Sequence, residues 1–371
     1  MRLLIIGGDA AGMSAASQAR RNDPNLEIVV LEASRDVSYG ACGLPYKIPD
    51  GHDMEDLQAV SLQRFREERH LDVRLEHVVD RVLPDEHRVQ GEGPDGRFEE
   101  SYDRLVIATG ARVIRPPIPG LDDLWGRGAY PLKTLQDGRD LKAAVQAGPA
   151  SVLIIGGGYI GLEASEGFRE QGLEVTVVEA LSDILLYVPQ EIRERVHAEA
   201  ERRGVAIKLG TRVERLERAA PEGPITAHTS AGALTADIVL VATGVRPNSE
   251  FAAEAGLKLG DARSIAVNEY LETSAADIWS AGDCADATHG VTGASVWIPL
   301  ALRANRAGKL AGGNVTGQRN AAPPVMGTAV FKFFGLQIAR TGLSEQEAAD
   351  AGLDAVSAGI LASTRAHYIP G

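Results

Sequence analysis

The chain has 371 residues, 44% of them hydrophobic and 24% charged, enough for two or three domains, each burying a core of its own. Its formal net charge of −13 argues against nucleic acid or an anionic membrane as the main partner, so an anionic small ligand would need a local basic patch. Two cysteines cannot form a disulfide framework, and no apolar run approaches the ~20 residues of a membrane helix, so a soluble, cytoplasmic protein is expected.

The apolar run Leu3 to Ile6 is too short for a signal-peptide core and reads as a strand buried on both faces. Gly7-Gly8-Asp9-Ala10-Ala11-Gly12 follows, then a small-residue helix to about Arg21 and a second apolar strand, Glu27 to Leu31, ending at Glu32. Strand, glycine turn, helix, strand and terminal acid make a dinucleotide-binding unit, with the pyrophosphate at the helix N-terminus and Glu32 placed for a ribose diol. Asp9 stands where the fingerprint has its second glycine, so its carboxylate is expected to turn away from the phosphates.

Next comes the loop Ser38 to Tyr46, which holds Cys42 between Gly40 and Gly43. The glycines let bulky ligands approach the sulfur, and Pro45 is placed to begin a helix with Cys42 near its N-terminus, where a thiolate is favoured. The alternative is that Cys42 is a small buried hydrophobe.

The unit then repeats. Ser151 to Ile155 precedes Gly156-Gly157-Gly158-Tyr159-Ile160-Gly161, a helix to about Gln171, and a strand from Val175 to Val178 ending at Glu179. An acid at Glu179 disfavours a 2′-phosphate, so NADH is preferred, with NADPH possible. Apolar strands run into Ala108-Thr109-Gly110 and Ala242-Thr243-Gly244, and prolines 116, 117, 119 and 247 mark the crossovers. A third such ending, Ile278 to Asp283, implies that the first domain resumes after the second has been inserted into it.

In this order the motifs resemble the FAD-dependent pyridine-nucleotide disulfide oxidoreductase family over about residues 2 to 313. The resemblance implies an α/β fold with two Rossmann-like domains: FAD-binding at 1–115 and 248–320, NAD(P)H-binding at 116–247 and inserted. An incomplete α+β interface domain starts at 321, and relatives continue it for several dozen residues beyond Gly371 to form a homodimer. FAD would be held by Gly7, Gly8, Ala11, Gly12, Glu32, Ala33, Val79, Ala108, Thr109, Gly110, Gly282, Asp283, Leu300 and Ala301. NAD would be held by Gly156, Gly157, Gly158, Tyr159, Ile160, Gly161, Glu179 and Gly244.

Only one cysteine stands in the redox loop, which resembles the single-cysteine branch of NADH oxidases, NADH peroxidases and coenzyme A disulfide reductases. Ala10 replaces the histidine that peroxidatic and water-forming members carry, and the loop is similar to that of coenzyme A disulfide and persulfide reductases. That implies coenzyme A contacts at Ser14, Gln18, Arg20, Arg21, Ser38 and Asn305, and Arg20-Arg21 is independently a cation pair suited to a phosphate. The stretch Trp297 to Ala301 resembles a helix start aimed at the flavin, and Glu163 a glutamate near its reactive edge, with Lys47 a candidate partner. Tyr368 matches a tyrosine that approaches the cysteine from the partner subunit.

Strands are expected at 328–334, 337–341 and 356–361, with a helix capped by Ser344 and Glu347. Cys284 reads as structural, residues 67–69 and 191–203 as solvated helix faces, and His52, His70 and His77 as surface residues. The eight histidines show no metal-ligand spacing. The main reading is an NAD(P)H-dependent reductase of a coenzyme A disulfide or persulfide. The alternatives are an NADH oxidase that reduces oxygen at the flavin and electron transfer to a protein such as rubredoxin.

Overall fold

A computed structural model describes residues 1–49, 51–221 and 223–362. The first unit runs β1 (Arg2–Ile6), α1 (Ala10–Asn22), β2 (Glu27–Leu31), β3 (Asp72–Arg74) and β4 (Arg104–Ile107). A crossover strand, β5 (Ala111–Val113), leads to the second unit: β6 (Ala129–Tyr130), α2 (Leu135–Gln146), β7 (Ser151–Ile155), α3 (Tyr159–Glu170), β8 (Glu174–Val178), α4 (Gln190–Arg203), β9 (Val205–Lys208) and β10 (Ile238–Val241). The chain returns through β11 (Val245–Pro247), which pairs antiparallel with β5, to β12 (Ile278–Ser280) and α5 (Ala301–Asn314).

Both central sheets are parallel and five-stranded. The first has the order β12, β4, β1, β2, β3 and the second β9, β8, β7, β10, β6. The apolar runs are continuous rather than alternating because both faces are covered, in the first sheet by α1 and α5 on one side and by the antiparallel strands of 78–101 on the other, and Leu3, Leu4 and Ile5 are fully buried as a result. Each unit also carries a three-stranded antiparallel sheet before its last strand, at 78–101 and 213–236. The expected duplication is therefore present at the level of topology, and β12 does rejoin the first sheet across the second unit.

Two features position the site. Helix α5 lies against α1 so closely that a Cβ on Gly308 would stand 2.1 Å from the Ala11 carbonyl oxygen, and one on Gly312 2.2 Å from that of Ala15. The loop bearing Cys42 crosses to the second unit, where Leu44, Ile48 and Met54 are buried in the same core as Val152, Ile154 and Phe168. The 36–55 stretch is strapped there by α2. Arg139 grips both oxygens of Asp36 at 2.8 Å and Glu55 at 2.7 Å, while Lys142 donates to the carbonyls of Lys47 (3.0 Å), Pro49 (3.1 Å) and His52.

At the C-terminal end the hairpin β13 (Ala329–Phe333) and β14 (Leu336–Arg340) also docks on the second unit. Glu166 of α3 accepts from Lys332 Nζ at 2.5 Å and the Phe334 amide at 2.6 Å. The helix α6 (Glu345–Asp350) has the expected reciprocal cap between Ser344 and Glu347. Two expectations need correction. Val356 to Leu361 forms no strand: among the described residues nothing packs on this run, and Val356, Ile360 and Leu361 are 96%, 90% and 87% exposed. The 191–203 helix is not solvated all round, because Glu199 is buried and bridges Arg202, Arg203 and the Gly335 amide.

Gly308→Ala tests the α1–α5 approach. Alanine should stabilise a helix by up to ~1 kcal/mol on propensity alone. The clash with the Ala11 carbonyl should instead cost about 1–3 kcal/mol and lower the thermal midpoint. An unchanged or higher midpoint would show that the helices separate freely.

Candidate functional site

The two glycine turns have one geometry. Gly7 (φ +105°) and Gly156 (φ +110°) lie against the ends of β4 and β10, where a Cβ would fall 2.2 Å from the Ala108 oxygen and 2.4 Å from the Ala242 oxygen. The acid at the end of each second strand holds its turn. Glu32 accepts from the amides of Gly8 (2.5 Å) and Ser34 (2.7 Å), and Glu179 from those of Gly157 (2.8 Å) and Leu181 (2.9 Å). Neither α1 nor α3 has a side-chain cap, so the first backbone N–H groups of both remain for an anionic group.

The Ala-Thr-Gly turns stitch the crossovers. Thr109 Oγ1 donates to the Asn248 carbonyl and Asn248 Nδ2 to the Thr109 carbonyl, while Thr243 Oγ1 donates to Ile114 and the Ile114 amide to Gly244. Ala33 is exposed and lines a shallow groove with Glu76, Val78 and Asp80; Val79 packs towards the core instead. Asp283 pairs one oxygen with Lys133 Nζ at 3.1 Å, but its Oδ1 is buried without a partner. An orphaned buried acceptor and two uncapped helix starts fit polyhydroxylated dinucleotides.

Asp9 turns its carboxylate to the cysteine loop, accepting from the Tyr39 amide at 3.0 Å. Burial pushes its pKa up to about 6, with the Tyr39 bond and Lys133 pulling the other way.

Cys42 is exposed at the mouth of the loop, in a single 3-10 turn, Ala41–Gly43, followed by a second, Pro45–Lys47. Pro45 does open a turn, but no full helix follows, so no dipole from that segment lowers the thiol. The surrounding protein instead raises the Cys42 thiol above its ordinary value, and Glu163 and Asp283 add to this. Lys133 is the main opposing influence, and the main-chain amide of Ala301 at the start of α5 also favours the charged form. The expected helix start at Cys42 thus comes from α5, far along the chain. Arg303 secures it by donating to the carbonyls of Gly282 (3.2 Å), Ile298 (3.3 Å), Ala285 (3.0 Å) and Asp286. Leu300 is the N-cap residue of this helix.

Glu163 is buried and accepts from the Tyr46 hydroxyl at 2.6 Å; burial pushes its pKa up to about 7. Lys47 is not its partner, being paired with Asp56 at 2.8 Å. Tyr159, one turn earlier on α3, stands beside Phe331 of the hairpin.

Ser14, Arg21, Ser38 and Asn305 come together around a cavity of about 260 Å³ between α1, α5 and the cysteine loop, and Ala10 also lines it. Ser14 Oγ donates to Asn305 Oδ1 at 2.9 Å. Gln18 does not line the cavity but accepts from Arg21 at 2.8 Å. Arg20 is elsewhere, donating to the carbonyls of Pro24, Arg69 and His70, so the expected Arg20-Arg21 pair does not act as a unit. Its place is taken by Arg69, which bonds Ser17 at 2.6 Å and lies over the Phe65 ring, and by Lys309.

Sequence reasoning missed Lys309, Lys133, Arg303 and Tyr46, and its reading of 67–69 as a solvated helix face fails at Arg69, which is half-buried on the cavity. Only Lys133 carried a signal, standing just before the Thr134–Asp137 capping box that starts α2. Tyr368 lies outside the described residues. Cys284 is fully buried with its sulfur near the Ile107 and Ala281 carbonyls. His52 and His70 are exposed, whereas His77 is half-buried against Phe98. Among the described residues no cluster of His, Cys, Asp or Glu forms a metal site, and no helix is long and apolar enough to cross a membrane.

Comparison with known proteins gives a consistent result. The profile of the family described as pyridine nucleotide-disulphide oxidoreductase matches residues 1–308. An NAD(P)H coenzyme A polysulfide/persulfide reductase of Pyrococcus horikoshii is 34% identical over 383 residues, covering all of this chain and 82% of the relative. An NADH oxidase of Methanocaldococcus jannaschii is 34% identical over 375 residues, with coverage of 100% and 82%. The solved structure of an NAD-dependent persulfide reductase from A. fulgidus superposes with a TM-score of 0.94 at 36% identity, covering all of this chain and 69% of that one.

Asp9 gives a pH test. A carboxyl whose pKa rises from 3.8 to about 6 on folding destabilises the fold as pH climbs through that window, by about 3 kcal/mol above it. Asp9→Asn keeps an oxygen for the Tyr39 amide and removes the charge. At matched cofactor occupancy the variant should melt above the parent at pH 7.5, and the gap should close towards pH 4. A gap independent of pH would show that the charge is not the cause.

Proposed function

The chain belongs to the pyridine nucleotide-disulphide oxidoreductase family, and from that premise we propose that it carries electrons from NADH to a coenzyme A persulfide or disulfide by way of FAD and Cys42. The observation that carries this reading is the placement of Cys42: an exposed thiol at the start of α5, with the cationic cavity of Arg21, Arg69 and Lys309 opening between α1 and α5. The other cysteine is buried, so the second sulfur of any disulfide with Cys42 must come from the substrate.

In this reading residues 1–115 and 248–320 hold FAD. Gly7, Gly8, Ala11 and Gly12 meet the pyrophosphate, Glu32 and Ala33 the adenosine side together with Val79, and Ala108, Thr109, Gly110, Gly282, Asp283, Leu300 and Ala301 the rest. Residues 116–247 hold the nicotinamide nucleotide, with Gly156 to Gly161 and Gly244 around it. Glu179, already fixed to two amides, repels a 2′-phosphate and favours NADH. FAD, when bound, accepts a hydride from NADH and returns two electrons to sulfur.

The chain's own residues do the remainder. Lys133 and the Ala301 amide favour a Cys42 thiolate against the cost of burial. The thiolate attacks the substrate sulfur, forming a mixed disulfide and expelling a thiol or sulfide. Arg21, held by Gln18, together with Arg69 and Lys309 supplies charge for the phosphates of coenzyme A, and Ser14, Ser38 and Asn305 supply neutral contacts. The 321–371 segment is the proposed homodimer contact, and the two-cysteine composition fits the cytoplasm.

A second reading, NADH oxidation by oxygen, is favoured by the resemblance to the M. jannaschii relative. Ala10 stands in the first glycine turn where peroxidatic and water-forming members carry a histidine, which argues against clean water formation and leaves hydrogen peroxide as the main product of this second reading.

Cys42→Ser separates the readings. It should leave NADH-dependent flavin reduction intact and abolish turnover of coenzyme A disulfide or persulfide; undiminished turnover would sink the proposal. Arg69→Ala should raise KM for coenzyme A disulfide about tenfold, the loss of one charge-assisted contact, with little change for a small uncharged disulfide. Equal effects on both substrates would remove Arg69 from the coenzyme A site.

A further inference from the structure

The two units share more than the glycine turn. Glu32-Ala33-Ser34-Arg35-Asp36-Val37 follows β2 and Glu179-Ala180-Leu181-Ser182-Asp183-Ile184 follows β8, so each terminal acid has an aspartate four residues on and an aliphatic residue five on. The geometry repeats as well. Val37 and Ile184 are buried, and a Cβ on the second glycine of each turn would stand 3.0 Å from Val37 Cγ1 and 2.5 Å from Ile184 Cγ2. Both aspartates are gripped by an arginine, Asp36 by Arg139 and Asp183 by Arg193. In the first unit the grip comes from α2 and straps the cysteine loop. In the second it comes from α4 of the same unit, and no function described so far uses it.

Asp183 Oδ2 accepts from Arg193 Nε at 2.8 Å, and Oδ1 accepts from His197 Nε2 at 2.7 Å and from the Ile184 amide at 2.8 Å. Arg193 also donates through Nη1 to the Val188 carbonyl at 2.8 Å, so one arginine holds both ends of the 183–188 stretch. The stretch needs holding, because Leu185 sits at φ +48°, a left-handed conformation that a leucine keeps only when its surroundings enforce it. On its other side the same segment meets the nucleotide turn twice. Ile184 packs on Gly157, and the Leu181 amide shares the Glu179 carboxylate with the Gly157 amide.

We propose that Asp183, clasped by Arg193 and His197, is a positioning residue for the nicotinamide nucleotide, fixing residues 180–188 as a wall of the second nucleotide site and keeping Glu179 aimed at the adenosine ribose. This rests on the placement of NADH at Gly156 to Gly161 proposed above. Asp183 acts only through its neighbours. Without its carboxylate the wall is released from α4, Ile184 is free to lift from Gly157, and Glu179 loses the fixed amide of Leu181. The adenosine half then meets an unfastened edge, and ordering that edge on binding costs affinity. The hydride-donating end of the nucleotide is not held by this wall, so binding should suffer and the hydride step should not.

Calorimetric titration of the oxidised holoenzyme with ADP-ribose reads the wall directly, since this probe carries the adenosine and pyrophosphate but cannot reduce the flavin. Asp183→Ala should weaken ADP-ribose and NAD⁺ alike, by about tenfold, the loss expected for a charge-assisted hydrogen bond. Asp183→Asn, which keeps one acceptor oxygen but loses the charge, should fall between parent and Asp183→Ala. In anaerobic reduction by NADH the half-saturating concentration should rise by the same factor while the limiting rate of flavin reduction holds, a split that general loosening of the fold would not produce. An ADP-ribose affinity equal to the parent's in either variant would overturn the proposal, as would a limiting rate that falls as far as the affinity. A parent that binds neither ADP-ribose nor NAD⁺ would remove the nucleotide site and the clasp with it. A parent that binds both, matched by Asp183→Ala, would remove the clasp alone.

Discussion

The site depends on one contact between distant parts of the chain: the start of α5 against the cysteine turn. The thiol is exposed to a ligand, yet the protein beside it raises it above its ordinary value, and only one lysine and the positive end of a helix oppose that. The helix end is in place because Gly308 and Gly312 let α5 rest on α1, and because Arg303 ties its first turn to the backbone from Gly282 to Asp286. The cysteine turn is in place because its own apolar residues belong to the second unit's core and Arg139 and Lys142 strap its ends. Loosening the α5 side would take away the helix end and leave Lys133 alone to favour the thiolate.

Much of this was legible where the determinants are local. A continuous apolar strand, a glycine turn, a small-residue helix and a terminal acid are all coded within about thirty residues, and the unit occurs twice. The Ser344–Glu347 cap was equally local, as was the hairpin around Gly335. What escaped was set by packing between segments. Pro45 promised a helix by its ring geometry, but Leu44 and Ile48 are drawn into the neighbouring core, and the chain makes two short turns instead. Arg20 and Arg21 are adjacent in sequence yet diverge, since neighbouring residues on a helix project to different faces.

The same reason explains the missed cations. Arg69 reaches the cavity only through its hold on Ser17 and Phe65, and Lys309 only through the position of α5 over α1. Val356 to Leu361 shows the converse error: an apolar run was read as a strand from its composition, although β propensity reflects packing against neighbours, and among the described residues this run has none.

The duplication also shows how one scaffold came to serve a thiol. The turns align as Gly7-Gly8-Asp9-Ala10-Ala11-Gly12 and Gly156-Gly157-Gly158-Tyr159-Ile160-Gly161, with the same acid holding the second glycine in each. They differ at the third, fourth and fifth positions, and the first two of these bear on the sulfur. At the third, Gly158 leaves open space beside the helix start, whereas Asp9 fills it and bonds the Tyr39 amide, fastening the cysteine loop to the first turn. At the fourth, Ala10 is small and opens on the cavity, whereas Tyr159 stands among the groups around Cys42. Each unit thus keeps the shared glycine geometry for its nucleotide and spends its one or two free positions on the sulfur. The burden of an acid beside an anion site falls on Asp9, whose carboxyl is pushed towards its neutral form, so that the anchoring bond survives with less repulsion.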